Sequence, residues 1–334
     1  MSLLLSSAAL SLLAVLAVWL TGRRDPAQSP LLTLVSLLAL LALPALAFLP
    51  KMTVDLPALA GPAREAAVSN TVSWFAMAWA GGFVFFTLRM AADFVFLRRW
   101  RAQSLDLSDP ATEKILHGCR QQLELCRKTP VRLHPGATSP CIAGLFRPVI
   151  YLPSRSVVWP EATLRMVLLH ELGHVARRDL WTSLASQIAC LVYWFNPLVW
   201  WLRSRLLAQC EFACDAKVLA VGADPGSYAT ALCDVAESGA RAPSAALAMA
   251  GQASLRERVK RVVGRRRAKR SLLVGAALLL TVSASLGLSV VRVSPAKLAV
   301  AGRAGSGDSN KDFGRLWTPE LVRERHAANP FPAD

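Results

Sequence analysis

The sequence predicts a mostly α-helical, multi-span membrane protein with an α+β domain on its cytoplasmic side. Three observations carry this. Of 334 residues, 54% are hydrophobic and 18% charged, more apolar and less charged than an ordinary soluble domain. The apolar residues fall in blocks long enough to cross about 30 Å of hydrocarbon as helices. Lys and Arg clusters abut those blocks in a chain of net charge +16, the pattern of cytoplasmic flanks rather than of a nucleic-acid surface.

The first block, SLLLSSAALSLLAVLAVWL, covers residues 2–20. No basic residue precedes it, and Arg23 and Arg24 follow it. That asymmetry argues for a retained span with its N-terminus outside, not a signal peptide. The second block, 31–49, contains Pro44, which a membrane helix tolerates. Residues 50–70 read as an outside loop. A third block runs over 71–97, with Trp74, Trp79 and Trp100 as interface anchors and Arg98, Arg99 and Arg101 on the inside. The last, 272–291, follows RERVKRVVGRRRAKR, residues 256–270, a strong inside marker that favours anionic lipid.

The resulting plan is a three-span region (1–97), a cytoplasm-facing domain (98–271), a last span (272–291) and a short outside tail (292–334). Both termini lie outside a bacterial inner membrane, with lipid as a partner and no direct contact to nucleic acid. A further apolar stretch, 180–202, reads as a membrane-associated helical hairpin at about 180–204, broken near Asn196-Pro197. A full crossing there would put the candidate metal-binding residues on either side of it, at 170–174 and at 211, on opposite faces of the membrane.

Residues 168–179 read LLHELGHVARRD. On a helix His170 and His174 share one face, with Glu171 beside them. This is H-E-x-x-H: two imidazoles for Zn2+ and a carboxylate to take a proton from metal-bound water. A catalytic zinc needs a third protein ligand. CEFACDAKVLA, residues 210–220, offers Glu211 and Asp215 at i and i+4. Glu211 is assigned to the metal and Asp215 to orienting His170 or His174. These assignments make the cytoplasmic domain zincin-like and specifically gluzincin-like. Arg177, Arg178 and Asp179 make a site within the hydrocarbon expensive, so it is placed at the cytoplasmic surface. Asp179 is read as supporting the helix end or the two arginines, not as a ligand.

SPCIAGLFRPVIYLPS, residues 139–154, reads as a loop and short strand before the zinc helix. Gly144, Val149 and Ile150 are its candidate substrate-binding residues, through strand addition. His117 and His134 read as surface residues, and His326 lies in the tail. Tyr193 and Tyr228 remain alternatives for stabilising an oxyanion. The seven cysteines are odd in number and lack C-x-x-C spacing, which excludes a disulfide framework and a thiolate zinc site and suits a reducing compartment.

Four ordered motifs, SPCIAGLFRPVIYLP, LLHELGHVARRD, YWFNPLVWW and CEFACDAKVL, resemble the BlaR/MecR-type membrane zinc metallopeptidases, named for beta-lactam sensor-transducers. The resemblance covers roughly residues 135–235. It implies zinc on His170, His174 and Glu211, with Glu171 as catalytic base. It also implies regulatory signalling of the antibiotic-response kind, by cleavage of a cytoplasmic BlaI/MecI-type repressor and of the receptor itself. The region from Glu237 to Gly264 is the expected self-cleavage segment, and a second copy of the chain is admitted as a partner. The penicillin-binding sensor domain of the named members is not expected, and Ser294-Pro-Ala-Lys297 is read as a chance S-x-x-K. Two competing functions are a non-proteolytic receptor or scaffold that keeps the fold and an HtpX-type quality-control zincin.

Overall fold

A computed structural model describes residues 2–22, 29–46, 52–56, 69–239, 255–264 and 291–295, with positions 276, 280 and 283. It is mostly helical with a small mixed sheet. The first helices are α1 (Ser2–Gly22), α2 (Ser29–Leu46) and α3 (Ser69–Ala102). Among the described residues one helical stretch, Ala76–Ala102, is long and apolar enough to cross a membrane. The apolar stretches of α1 and α2, Ser6–Leu20 and Pro30–Pro44, are shorter. Apart from three isolated positions, the expected last span lies outside the described residues.

Strand β1 (Met52–Leu56) pairs with β6 (Val291–Pro295) in a two-stranded sheet. This ribbon falls largely in a second compact unit made from 53–64 and 293–334. All other described elements belong to the first unit.

α6 (Asp179–Val192) and α7 (Pro197–Ala220) make a helical hairpin whose second arm runs well past the expected end at about 204. The break falls where the sequence places it. Pro197 sits in the first turn, where a missing N–H costs nothing, and the Asn196 side chain caps the helix by accepting from Leu198 N at 3.0 Å. With 14 residues, α6 is about 21 Å long, short of a hydrocarbon core.

α1, α2, α6 and α7 share one apolar core that includes Leu10, Leu37, Leu40, Leu202 and Leu206. Buried polar side chains inside it bond one another. Thr33 Oγ1 donates to Gln209 Oε1 (2.8 Å), Asn196 Nδ2 to Ser11 Oγ (3.0 Å), and the Tyr193 hydroxyl to Leu40 O (2.7 Å). These long-range bonds fix how the hairpin meets α1 and α2, because an unmatched partner would be buried without compensation. α3 stands beside this core with Trp74, Phe85 and Leu88 exposed. It touches the hairpin through Trp79 Nε1, which donates to Val192 O (3.1 Å), and through Phe86, whose ring stacks on Trp194. The Trp194 ring also lies directly on Gly82, where a Cβ would collide with it.

Strands β2 (Leu105–Asp106), β3 (Val131–His134), β4 (Cys141–Ala143) and β5 (Val149–Pro153) form a second sheet in the order β2-β3-β5-β4. β5 runs parallel to β3 and antiparallel to β4. Val149 and Ile150 therefore sit on an interior strand, 3% and 0% exposed, bonded on both edges. They are core residues, which corrects their reading as substrate contacts; the free edge belongs to β4. Gly144 follows β4 with φ +101° and acts in the turn to β5.

The sheet packs with α4 (Pro110–Gln122), α5 (Glu161–Arg177) and α8 (Pro225–Gly239) around a core that includes Leu116, Ile150, Leu152, Leu168, Leu172, Val218 and Tyr228. A helix at 255–263 closes onto the same core through Val259 and Val262. His134 is buried, not on the surface as its polar neighbours suggest. Trp100 at the end of α3 stacks on it, with ring centroids 3.8 Å apart and 3° between planes. Arg132 completes the attachment by donating to Arg101 O and Ser104 Oγ, each at 3.1 Å.

Candidate metal centre

α5 and α7 cross where their backbones can approach closely. A Cβ on Gly173 would meet Cys214 Sγ at 3.3 Å, so the glycine inside HELGH lets the two helices nest. That contact brings the inward face of α5 against the inward face of α7. His170 and His174 from α5 then converge with Glu211 from α7. His170 Nε2 lies 3.3 Å from Glu211 Oε2, and His174 Nε2 lies 3.5 Å from Glu211 Oε1. Two nitrogens and a carboxylate oxygen at about 2.0–2.1 Å from a tetrahedral zinc would be roughly 3.3 Å apart. The donor chemistry and spacing therefore fit such an ion.

Each imidazole is held from behind. Asp215 Oδ1 lies 3.2 Å from His170 Nδ1, and Asp179 Oδ2 lies 2.9 Å from His174 Nδ1. Metal-binding histidines characteristically have a carboxylate on the other ring nitrogen, which fixes tautomer and orientation. The sequence assigns this role to Asp215 for one of the two histidines, and the structure places Asp215 at His170. Asp179 stands at His174, a contact the sequence reading gives to the arginines instead. The reason is local: α5 ends and α6 begins at one residue, Arg178, with φ 59°. That left-handed residue reverses the chain so that position 179 faces back onto position 174. Arg177 Nε is also near Asp179, at 3.3 Å.

Tyr228 on α8 donates its hydroxyl to Asp215 Oδ1 (2.7 Å) and lies 3.0 Å from His170 Nδ1. It is thus committed behind the histidine. Tyr193 is bonded to Leu40 in the other core. Both tyrosine hydroxyls thus have protein partners of their own.

The electrostatics follow from these contacts. Burial alone would push His170 down, but the carboxylates of Asp215 and Glu211 outweigh it and raise the imidazole to about 9. Burial opposes ionisation of Glu211, yet His170, Arg258 and His174 together hold it at about 2. Asp215 is lowered against its burial by His170 and Arg258, and Asp179 against its burial by His174 and Arg177. Glu171 is the exception: burial raises its carboxyl, more than the two imidazoles lower it. Three carboxylates fixed as anions beside a fourth of raised proton affinity is the division of labour expected of ligand, orienting groups and base.

A cavity of about 450 Å³ opens over these groups. His170, Glu171, His174 and Glu211 line one side, and Cys141 and Ile142 of edge strand β4 line another. Met166, Leu232, Val235 and Leu255 give it an apolar wall. The cavity therefore joins the β4 edge to Glu171.

The chain matches the family model described as BlaR1 peptidase M56 over residues 33–262. It belongs to the BlaR1 peptidase M56 family. M56 members are metallopeptidases, which agrees with a His/His/Glu cluster able to hold a metal. Among relatives, the regulatory protein BlaR1 of Bacillus licheniformis is 34% identical over 105 residues, 31% of this chain and 18% of that protein. The methicillin resistance mecR1 protein of Staphylococcus aureus (strain Mu50) is 24% identical over 155 residues, 46% of this chain and 26% of that protein. The matched stretches thus cover about a fifth to a quarter of those relatives. The family match takes in all the site residues above, including Arg258.

Proposed function

We propose that this M56 peptidase is a membrane-embedded zinc endopeptidase of regulatory signalling, acting at the cytoplasmic surface. The observation that carries the proposal is the convergence of His170, His174 and Glu211 on one point, with Glu171 beside it at the cavity wall. Zinc bound there would supply an acidified water and polarise the scissile carbonyl. His170, His174 and Glu211 would hold it, and Asp215 and Asp179 would keep both imidazoles aimed. Glu171, with its raised proton affinity, takes a proton from the attacking water and delivers it to the leaving amine. The edge of β4 holds the substrate backbone, and the apolar wall receives a substrate side chain.

The substrate proposed is a cytoplasmic repressor of the BlaI/MecI type, by the family resemblance. Self-cleavage is proposed only within 240–254, which lies outside the described residues. The flanking 237–239 and 255–263 are helical, which takes both ends of the Glu237–Gly264 segment out of the proposal. Several spans with both termini outside remain the proposed topology. Pairing of β1 with β6 supports it, since strands from the 50–70 loop and the C-terminal tail can pair only on one side of a membrane. Basic residues in the last turn of α3, Arg99 and Arg101, support the cytoplasmic position of the sheet and α5 beyond them.

The test is zinc content of the detergent-purified full chain, wild type beside Glu211→Ala. About one zinc per wild-type chain, lost in the variant, supports the ligand set. Protein N-termini compared between wild-type and Glu171→Gln cells would then reveal substrates. Zinc-free, well-folded wild type would favour a receptor that transmits by contact.

A further inference from the structure

Arg258 belongs to a run of basic residues whose sequence reads as a membrane flank, yet its side chain is only 15% exposed and ends in the metal centre. Its Nε lies 2.8 Å from Asp215 Oδ2 and its Nη2 lies 2.7 Å from Asp215 Oδ1. This is a two-pronged fork on one carboxylate, which fixes the plane of that carboxylate as well as its charge. The oxygen fixed by Nη2 is the one facing His170 Nδ1. Nη1 reaches the second carboxylate, Glu211 Oε2, at 3.0 Å.

The guanidinium borders two of the proposed ligands, with Nη1 on Glu211 and Nη2 beside the His170 ring. Nη2 is nearly equidistant from the two ring nitrogens of His170, 3.5 Å from Nδ1 and 3.3 Å from Nε2. It therefore lies along the lone-pair direction of neither nitrogen. The helix that carries Arg258 is itself held on α7. Arg261, one turn on, stacks over the ring of Phe212 at 4.0 Å, and Phe212 follows Glu211 directly. Val262 is buried in the core beneath.

We infer that Arg258 is a positioning residue of the metal centre, acting through Asp215 on His170, so that the 255–263 helix is a structural part of the site. This inference rests on the reading of His170, His174 and Glu211 as a metal centre. The fork sets the Asp215 carboxylate, Asp215 sets the imidazole, and the imidazole presents Nε2. Lysine could supply the charge but not the two parallel bonds.

The test uses the full-length protein in detergent with Co2+ as the probe. Affinity is measured by chelator competition, and coordination by the visible absorption of the bound ion. Wild type, Arg258→Ala, Arg258→Lys, Asp215→Ala and the Asp215→Ala/Arg258→Ala double variant are compared. Arg258→Ala should weaken binding about 10- to 100-fold, as loss of an orienting partner does, and alter the spectrum. Arg258→Lys, which keeps the charge and guards against a folding failure, should recover only part of the affinity and not the spectrum. The double variant should bind less weakly than the two single losses combined predict, because part of the Arg258 effect runs through Asp215. Unchanged or tighter binding in both Arg258 variants would overturn the inference and make the guanidinium a mere competitor for the site. So would full additivity in the double variant. Failure of wild type to bind Co2+ would instead sink the metal-centre reading and this inference with it.

Discussion

Asp179 Oδ2 stands 2.9 Å from His174 Nδ1, across the single left-handed residue that separates two helices. The contact makes the break at Arg178 part of the proposed metal centre. Asp179→Asn keeps the shape but removes the charge that favours a basic Nε2. Metal affinity should fall about 10- to 100-fold, with little change in thermal stability of the metal-free protein. Chelator competition on the purified variant checks this; unaltered affinity would return Asp179 to the role of a partner for Arg177.

Glu171 should separate chemistry from binding. Glu171→Gln removes the proton acceptor while leaving His170, His174 and Glu211 in place. Hydrolysis should drop by about 10²–10⁴ or more, with metal content as in wild type. Simultaneous loss of metal would show that Glu171 shapes the site and is not simply its base.

The pH dependence has a definite sign. In the metal-free protein His170 lies at about 9, above its ordinary 6.5. Its stabilisation is complete below 6.5 and is lost as pH rises through 9. Glu211 lies at about 2, below its ordinary 4.5; its stabilisation is present above 4.5 and is lost as pH falls through 2. These two groups together support the fold best between those ordinary values. Melting temperatures of chelator-treated protein across that range test it. A metal must also displace the proton of His170, so affinity should rise about tenfold per pH unit towards 9. Calorimetry in two buffers of different ionisation enthalpy should register about one proton released per metal at pH 7.

Tyr228 gives a prediction about stability. Its buried hydroxyl donates to an ionised Asp215. Tyr228→Phe should cost about 1.5–3 kcal/mol, read by denaturant unfolding, and should also reduce metal affinity because Asp215 loses a support. A variant as stable as wild type would mean that water or Arg258 replaces the bond.

Gly82 probes the seat of α3. Gly82→Val places a branched side chain against Trp194. The strain expected of overpacking is about 1–3 kcal/mol, relieved by separation of α3 from the hairpin. Crosslinking between cysteines introduced at Trp79 and Val192 should decrease in the variant, while metal content stays constant.

The site was legible in part because its central residues lie on two helices with helical spacing. His170 and His174 share a face at i and i+4 with Glu171 beside them, and Glu211 and Asp215 share one at i and i+4. The hairpin break was legible in Asn196-Pro197 for the same local reason, a cap and a missing N–H. Asp179 was not, since its role depends on a positive φ at an arginine, which residue type does not announce. Arg258 lies 88 residues from His170 in a stretch whose charge had a simpler use at the membrane. Val149 and Ile150 were misplaced because a short apolar strand looks the same at an edge or in the middle of a sheet. Strand order decides, and local sequence does not encode it.

α7 carries one last consequence. It begins at the capped break among the helices of the apolar bundle and continues without interruption to Glu211 and Asp215. Fourteen residues separate Pro197 from Glu211, about 21 Å of unbroken helix at 1.5 Å each. Such a rod has no hinge in which to absorb motion. α1 and α2 grip this rod as far as Gln209 and Cys210, so a shift of the bundle is passed without slack to Glu211, the proposed third metal ligand.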